Sequence, residues 1–475
     1  MAKQLEKITP RSEDFSKWYT DIVKNADLID YGPVKGTVIF KPYGFAIWEL
    51  IQQKLDKEFK KIGISNVYFP LLIPKSLFLK EQEHIEGFAP ELATVTKVGD
   101  KELEEPFFIR PTSEVLFANY FMKDVKSYRD LPKLYNQWVN VIRWEKTTRP
   151  FLRTSEFLWQ EGHTLHATAD EARQFTLTIL RIYEKFAKEN LAIPVITGKK
   201  SEMEKFSGAK DTYTIEAMMY DGQALQAGTS HYLGNNFSSV YNIQFQNKEN
   251  KLENPYGTSW GVSTRLIGGI IMTHSDDSGL VLPSDIAPIQ IAIVIVKNTD
   301  EIISVANNLL NRLQINNFRV NIEDSDKSLG FKMAEVEIKG IPLRMEIGPR
   351  DLENGVVTIS KRNNSIKIQI SLENIVEEAK KMLVEYDQSL YEDALKRRDE
   401  KICEVNFLEE YIEIINKNPG FVIAPFCGRI ECEQEIKQKT ATTSRCMQSN
   451  DLKKIYKCFN CQQETSTKYY FAKSY

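Results

Sequence analysis

The sequence predicts an α+β protein of three domains: a large first domain built on an antiparallel sheet, an α/β second domain, and a small α+β module at the C-terminal end. Three observations carry that expectation. A chain of 475 residues exceeds one ordinary core, at about 100–200 residues per domain. Composition shifts near Pro283 and Pro288, and a strand, a helix and a strand then follow in βαβ order. All six cysteines fall in the last 73 residues, from Cys403 onward. The expected divisions are 1–285, 286–400 and 401–475.

Composition excludes several classes. Apolar residues at 42% and charged residues at 27% describe a folded globular chain and exclude disordered, collagenous and membrane proteins. Basic and acidic side chains nearly balance, 62 against 65, for a net charge of −3 and a pI of about 6.1. That balance argues mildly against a nucleic-acid partner, although a local basic groove is compatible with it. The first residues, Met1 to Glu6, contain no apolar signal core. The longest apolar run, Ile289 to Val296 interrupted by Gln290, is far short of the ~20 residues a spanning helix needs. A cytosolic protein with no membrane association is expected, and there cysteines serve as metal ligands or free thiols rather than disulfides.

Element by element, residues 43–62 read as an amphipathic helix. Ile47, Trp48, Ile51, Leu55, Phe59 and Ile62 recur at three- and four-residue steps, and Gly63 stands where a terminating glycine belongs. A strand with Pro70 and Pro74 is expected over 66–74, at an edge or interface. Strands follow at 135–145 and 157–166, joined by a polar loop. Short strands and turns fill 212–264, and 265–275 reads as helix. The second domain reads as a strand (289–296), a helix (300–314), a strand (318–322), a further helix and strands at 341–347, 355–361 and 366–371. A charged helix over 372–401 leads to the last module.

Cysteine spacing can be judged on its own. Cys427 and Cys432 are separated by four residues, Cys458 and Cys461 by two, and 25 residues lie between the pairs. Two short-spaced pairs can close a tetrahedral thiolate site, and zinc is the expected metal in a cytosolic chain. Four ligands leave no open position, so the ion would be structural and would help fold a short segment. Cys403 and Cys446 do not fit the pairing and read as ordinary thiols.

Two further patterns carry chemistry. In Arg143-Trp-Glu145 and in Trp159-Gln-Glu161-Gly-His163, alternate side chains of an extended strand share one face. An arginine, carboxylates, a histidine and an indole on paired strands would line a pocket rather than a dry core. Arginine is a permanently charged fork suited to phosphate, although Arg-x-Glu alone is usually a surface ion pair. The stretch Gly257 to Ile270 reads as a glycine-rich strand entering a helix whose first turn carries Arg265. A helix N-terminus and an arginine together favour a polyphosphate; in isolation this would be an ordinary helix start.

Taken in order, these segments resemble the three signature motifs of class II aminoacyl-tRNA synthetases. More closely, Arg110-Pro-Thr-Ser-Glu114, Arg143-Trp-Glu145, Phe151-Leu-Arg-Thr154, Trp159 to Thr164, Leu225 to His231 and Thr273 to Gly279 resemble the prolyl-tRNA synthetase family. The resemblance spans essentially the whole chain. It includes Ile341 to Arg350 in the second domain, the paired cysteines of the third, and the tyrosine at position 475, as in the zinc-containing branch of the family. It implies a class II catalytic domain, an anticodon-binding α/β domain and a C-terminal zinc-binding domain. ATP, L-proline and tRNA(Pro) are the implied partners, Mg²⁺ and structural Zn²⁺ the implied cofactors, and a homodimer through the Pro70 region the implied assembly. A tRNA needs only local basic surfaces, so the near-neutral total charge loses its force.

The implied roles follow the motifs residue by residue. Arg143 and Arg265 would be the catalytic residues, with Arg143 bridging the α-phosphate and the proline carboxylate. ATP would meet Arg143, Glu145, Arg153, Thr154, Gln226, Thr229 and Arg265. Proline would meet Thr112, Glu114, Arg143, Trp159, Glu161, His163, His231 and Ser263, with the two histidines as neutral, orienting groups. Glu346, Arg350 and Lys361 would face the anticodon, a reading weighed equally against a solvated strand end. His84, His166 and His274 have weaker claims, and His274 could be a packing residue. About 90 residues separate His163 from Gly257, too few for the editing insertion some relatives carry. Two departures stand out. The loop after Glu145 reads Lys146-Thr-Thr-Arg149-Pro where relatives often have His-Pro, and Ser284 replaces a second proline, which is expected to matter little.

Overall fold

The computed structural model describes residues 8–79 and 92–475; His84 lies outside the described residues. The first domain is built on a seven-stranded sheet. Its strands are β1 (Ser65–Asn66), β2 (Lys133–Ile142), β3 (Glu156–His166), β4 (Val195–Lys199), β5 (Asp211–Met218), β6 (Ala224–Gly234) and β7 (Tyr256–Ser263), in the order β1-β2-β3-β7-β6-β5-β4. Neighbours are antiparallel except β1 and β2, which run parallel. One face of this sheet is covered by helices and the other forms the site. On β7, Trp260 and Val262 join the hydrophobic core, while Ser259, Gly261 and Ser263 point the other way, as the two-residue period of a strand requires.

The covering helices are α1 (Pro42–Lys61), α3 (Ala169–Glu189) and α4 (Arg265–His274); α2 (Glu114–Asp124) stands near the site. Helix α1 starts with Pro42 in its first turn and buries Ile47, Trp48, Ile51, Leu55 and Phe59. Gly63 follows it at φ +83°, the left-handed conformation in which glycine carries no Cβ penalty. In α3, the Thr168 hydroxyl accepts the Glu171 N–H at 3.2 Å, a cap of about 1 kcal/mol.

Two strand expectations need correction. The segment 66–74 is not one strand: Ser65–Asn66 joins the large sheet, while Leu72–Pro74 pairs with Lys101–Ile109 in a separate three-stranded sheet. Pro70 between them has no N–H to continue a ladder. Likewise β2 ends at Ile142, short of the expected 145. The Arg143 N–H still donates to Ser155 O at 2.9 Å, and the chain then turns away, so Arg143 and Glu145 are not placed by strand alternation.

The second domain has strands β8 (Ile291–Ile295), β9 (Val320–Glu323), β10 (Leu343–Ile347), β11 (Val356–Lys361) and β12 (Lys367–Ser371), ordered β9-β8-β10-β11-β12. Helices α5 (Asp300–Ile315), α6 (Leu329–Ile338) and α7 (Ile375–Asp399) accompany them. Strand β8 is parallel to both neighbours and buried along its whole length, as a central parallel strand should be. The third domain has β13 (Ile402–Glu404), β14 (Phe421–Pro425), β15 (Thr443–Asn450) and β16 (Thr467–Ala472), ordered β13-β14-β16-β15, with helices α8 (Leu408–Lys417) and α9 (Ile430–Thr440).

Specific polar contacts tie the domains together. The Arg362 guanidinium donates to both oxygens of Asp276 at 2.8 and 2.6 Å. Ser284 donates its N–H to Asp387 at 2.7 Å, and its hydroxyl bonds the same carboxylate. A proline at 284 could make neither bond, so this departure joins two domains and is not the minor difference expected. From the third domain, the Tyr475 N–H donates to Ala224 O at 3.1 Å. Among the described residues, no helix is long and apolar enough to cross a membrane.

Candidate active site

The sheet register lays out the site in rows. Thr212 on β5 pairs with His231 on β6, His231 with Ser259 on β7, and Ser259 with His163 on β3. The next row is Thr214, Thr229, Gly261 and Glu161; beyond it, Glu216 pairs with Gln226, and Ser263 with Trp159. These rows form the floor of a cavity of about 330 Å³. Its lining includes Thr112, Glu114, Arg143, Trp159, Glu161, His163, Gln226, Thr229, His231, Ser263 and Arg265, every residue of the expected proline and ATP sets except three.

Charge is divided across the cavity. At one end sit two buried carboxylates. Glu161 accepts from Gln137 Nε2 at 2.7 Å, from the Ser113 N–H at 3.2 Å and from His163 Nε2 at 3.0 Å. Glu114 opens α2 and is bonded by the Thr112 hydroxyl. The loop that leads into Glu114 is fastened by buried Arg110, which donates to Phe69 O at 2.7 Å and to Asn140 O at 2.8 Å. His163 stacks on Phe117 with ring centres 4.2 Å apart. His231 is held at both ring nitrogens, by the Thr212 and Thr229 hydroxyls at 3.0 Å each. Burial, opposed by the charge of Glu114, lowers its pKa to about 4, so it is neutral at physiological pH.

At the other end stand the arginines. Arg143 Nε donates to Pro111 O at 3.0 Å, and its guanidinium lies 5.3 Å from the Trp159 ring centre. Arg265, in the first turn of α4, donates to Leu152 O at 3.1 Å. Burial first, then the nearby charges of Arg153 and Arg143, lower the pKa of Arg265 to about 10. Like charges held together in a cavity favour a polyanionic ligand. Trp159 Nε1 and Ser259 Oγ are buried without a hydrogen-bond partner, a state that a bound polar ligand relieves.

Glu145, Arg153 and Thr154 are not in the lining. Arg153 and Glu145 pair with each other at 3.5 Å on the loop outside the strands. The Thr154 hydroxyl is buried and donates to Glu156 O at 2.6 Å, so the structure gives its side chain a backbone partner. Sequence reasoning missed Lys200, Glu204, Phe206 and Thr212, which also line the cavity; no motif marks them. The two weaker histidines among the described residues, His166 and His274, are packing groups. His166 bonds Thr164 at 2.8 Å and His274 bonds Leu191 O at 2.9 Å, and burial lowers each pKa to about 4.

In the second domain, Glu346 accepts from Arg344 at 3.1 Å and from Lys367 at 2.8 Å, two cations that went unnoticed in the sequence. Arg350 is exposed on the short helix Pro349–Glu353. Lys361 pairs with Leu343 in the register and donates to Glu385 on α7 at 2.6 Å, so it does not share a face with Glu346.

In the third domain, the sulfurs of Cys427, Cys432, Cys458 and Cys461 all lie within 4.8 Å of one another. Cys432 and Cys458 are 3.8 Å apart, and Cys461 and Cys427 3.7 Å. A tetrahedral ion with bonds of about 2.3 Å to sulfur requires sulfur separations of about 3.8 Å. The four thiols fit such an ion.

Known proteins match each part of the chain. Residues 95–274 match the tRNA synthetase class II core domain (G, H, P, S and T), 290–382 an anticodon binding domain, and 408–475 the prolyl-tRNA synthetase C-terminal domain. The chain is 62% identical over 476 residues to the proline--tRNA ligase of Mycoplasma mycoides subsp. mycoides, covering 100% of both. It is 51% identical to that of Ruminiclostridium cellulolyticum, covering 100% of this chain and 99% of the relative. Among solved structures, prolyl-tRNA synthetase from Cryptosporidium parvum complexed with L-proline and AMP superposes with a TM-score of 0.94 at 37% identity, over 100% of this chain and 98% of that one. The same synthetase complexed with halofuginone and AMPPNP gives 0.95 at 38% identity, over 99% and 100%.

Proposed function

The chain belongs to the prolyl-tRNA synthetase family, and on that premise we propose that its cavity holds proline at the carboxylate end and ATP at the arginine end. The enzyme activates L-proline with ATP to prolyl-adenylate, releasing diphosphate, and transfers proline to the 3′ end of tRNA(Pro), releasing AMP. The observation that carries the residue assignment is the division of one cavity into a buried Glu114–Glu161 end and an Arg143–Arg265 end.

Proline brings a secondary ammonium, and a buried cation needs a carboxylate. Glu114 and Glu161 supply it, with Glu114 bonded by the Thr112 hydroxyl and Glu161 by His163; Thr112 also faces the amine, and Trp159, His231 and Ser263 shape the ring's enclosure. Arg143, held on Pro111 O beside Thr112 and set against the Trp159 ring, is the arginine that bridges the proline carboxylate and the α-phosphate. A carboxylate oxygen attacks the α-phosphorus and diphosphate leaves. Arg265 holds the far phosphates, and Gln226 and Thr229 hold the rest of the nucleotide. Arg153, Glu145 and Thr154 act from the loop, where the first two must exchange their mutual ion pair for ATP. Mg²⁺ bound to ATP would offset part of the phosphate charge. The tRNA hydroxyl then attacks the prolyl carbonyl and AMP departs. Neither step uses a protein nucleophile, so catalysis is positioning and charge stabilisation.

Amino-acid-dependent ATP–diphosphate exchange across the twenty amino acids tests this reading: proline supports exchange, and threonine or serine in its place overturns it. With no room for an editing insertion, the enzyme leaves alanyl-tRNA intact; rapid hydrolysis by the pure protein contradicts that. Alanine, which lacks two of the ring methylenes, can enter the site because each missing methylene changes binding by only about 1–3 kcal/mol.

The domain division proposed is 1–285, 286–400 and 401–475. Cys427, Cys432, Cys458 and Cys461 hold a structural zinc ion: about one zinc per chain on purification, lost in Cys458→Ser, is the expected result. Glu346 and Arg350 face the anticodon, with Lys361 behind them on the sheet. The assembly is a cytoplasmic homodimer through the Pro70 region, where Tyr68 and Leu72 are exposed; sedimentation of a Tyr68→Glu variant as a monomer would support it.

A further inference from the structure

The third domain does more than stand beside the catalytic sheet. Its strand β15 lies against β4, the edge strand on the site's side. Gly198 makes that approach possible: a Cβ there would meet Met447 O at 2.4 Å and Cys446 Sγ at 3.0 Å. Next to this contact, the Ser444 hydroxyl donates to Ser201 Oγ at 3.0 Å. Arg445 then enters the sheet. Its Nε and Nη2 donate to Glu216 Oε2 at 3.0 and 2.9 Å, with both side chains buried.

Glu216 has a second cation within reach. Lys200 Nζ lies 3.6 Å from Glu216 Oε1, an ion pair longer than a hydrogen bond, and the Thr214 hydroxyl donates to the same oxygen at 2.9 Å. Lys200 is itself buried yet lines the cavity. Its N–H donates to Thr212 O at 2.8 Å, which sets it in the row of Thr212 and His231, the amino-acid end. One buried carboxylate is thus shared between a tightly bound arginine of another domain and a loosely bound lysine facing substrate.

We propose that Arg445 is a positioning residue for the amino-acid end of the pocket: by holding Glu216 it leaves the Lys200 ammonium free to meet the carboxylate of the bound amino acid. Without Arg445, Lys200 is the one cation left in ion-pair contact with the buried Glu216 among the described residues, with the charge of Arg265 acting from farther away, and a buried charge draws strongly on its remaining partner. Lys200 then closes onto Glu216 and leaves the substrate. This inference rests on the assignment of the cavity to proline, and the test separates the two.

The experiment is proline-dependent ATP–diphosphate exchange by the full-length zinc-loaded enzyme and its Arg445→Met, Arg445→Lys and Arg445→Met/Glu216→Gln variants, with zinc content and Tm recorded for each. Arg445→Met is expected to raise KM for proline about tenfold with kcat changed little, a loss of uniform substrate binding. Arg445→Lys should restore most of that loss. The double variant should return KM close to the wild-type value, because Lys200 has no carboxylate to close onto. A wild-type KM in Arg445→Met overturns the inference, as does a double variant no better than the single one, or a loss that Arg445→Lys does not rescue. If Arg445→Met fails to fold, Arg445→Lys and the double variant decide: a raised KM in the double variant overturns the inference, and a wild-type one supports it. Wild-type enzyme that ignores proline would overturn the underlying assignment instead.

Discussion

Glu161 and Glu216 are both buried carboxylates on the site face of one sheet, and they are neutralised in different ways. Glu161 accepts from an amide, a backbone N–H and an imidazole nitrogen, and among the described residues no lysine or arginine is in ion-pair contact with it. Glu216 is met by two cations, Arg445 and Lys200. An amide and a backbone N–H orient a carboxylate without cancelling its charge, so Glu161 keeps its attraction for a cationic ligand. Cations cancel it, so Glu216 is structural. Where a charge stays uncancelled in a buried place, substrate is its counterion.

The largest effect expected from breaking this division is at its boundary. Arg143→Ala removes the one cation placed to touch both substrates, and exchange should fall by about a thousandfold, the scale of losing a transition-state donor. Glu161→Gln comes next. It should raise KM for proline about a hundredfold while Tm holds or rises, because a neutral amide replaces a charge that no lysine or arginine among the described residues balances. Glu216→Gln should do the reverse: it strands buried Arg445 and costs about 3 kcal/mol of stability in denaturant titration, with KM nearly unchanged. Equal effects of these two substitutions on KM and Tm would erase the contrast.

A smaller effect concerns pH. His166, His231 and His274 all have pKa values lowered to about 4 by burial, against about 6.5 when unfolded. Between those values the unfolded chain binds more protons, so stability is full above about 6.5 and falls as pH drops through 4. Asp387 opposes this weakly: burial raises its pKa to about 6, so its contribution is present at low pH and is lost as pH rises through 6. Urea midpoints measured from pH 4 to 7 should therefore rise with pH. Asp387→Asn should steepen the rise, while Ser284→Pro should lower stability at all pH values by about 1–2 kcal/mol through the lost N–H bond.

Much of this was legible in the sequence, for reasons that differ by residue. Strand alternation placed Trp159, Glu161 and His163 on one face because β3 pairs along its whole length. The same rule failed for Arg143 and Glu145, since β2 loses its partner at Ile142 and alternation has no meaning beyond the ladder. Paired cysteine spacing located the four thiols because a tetrahedral site needs short local loops. Lys200 and Arg445 left no trace: they are linked through Glu216, and neither hydrophobic period nor motif spacing records the inter-domain Arg445–Glu216 contact, 229 positions apart. Ser284 was misjudged for a related cause. Its value is a backbone N–H aimed at another domain, which a residue-by-residue comparison with proline does not reveal.

The division of the cavity is tested most directly by a crystal structure with proline and a non-hydrolysable ATP analogue bound together. The account predicts the proline nitrogen on Thr112, Glu114 and Glu161, and the triphosphate on Arg143 and Arg265. A proline nitrogen placed against Glu216, or phosphates lying away from both arginines, would contradict it.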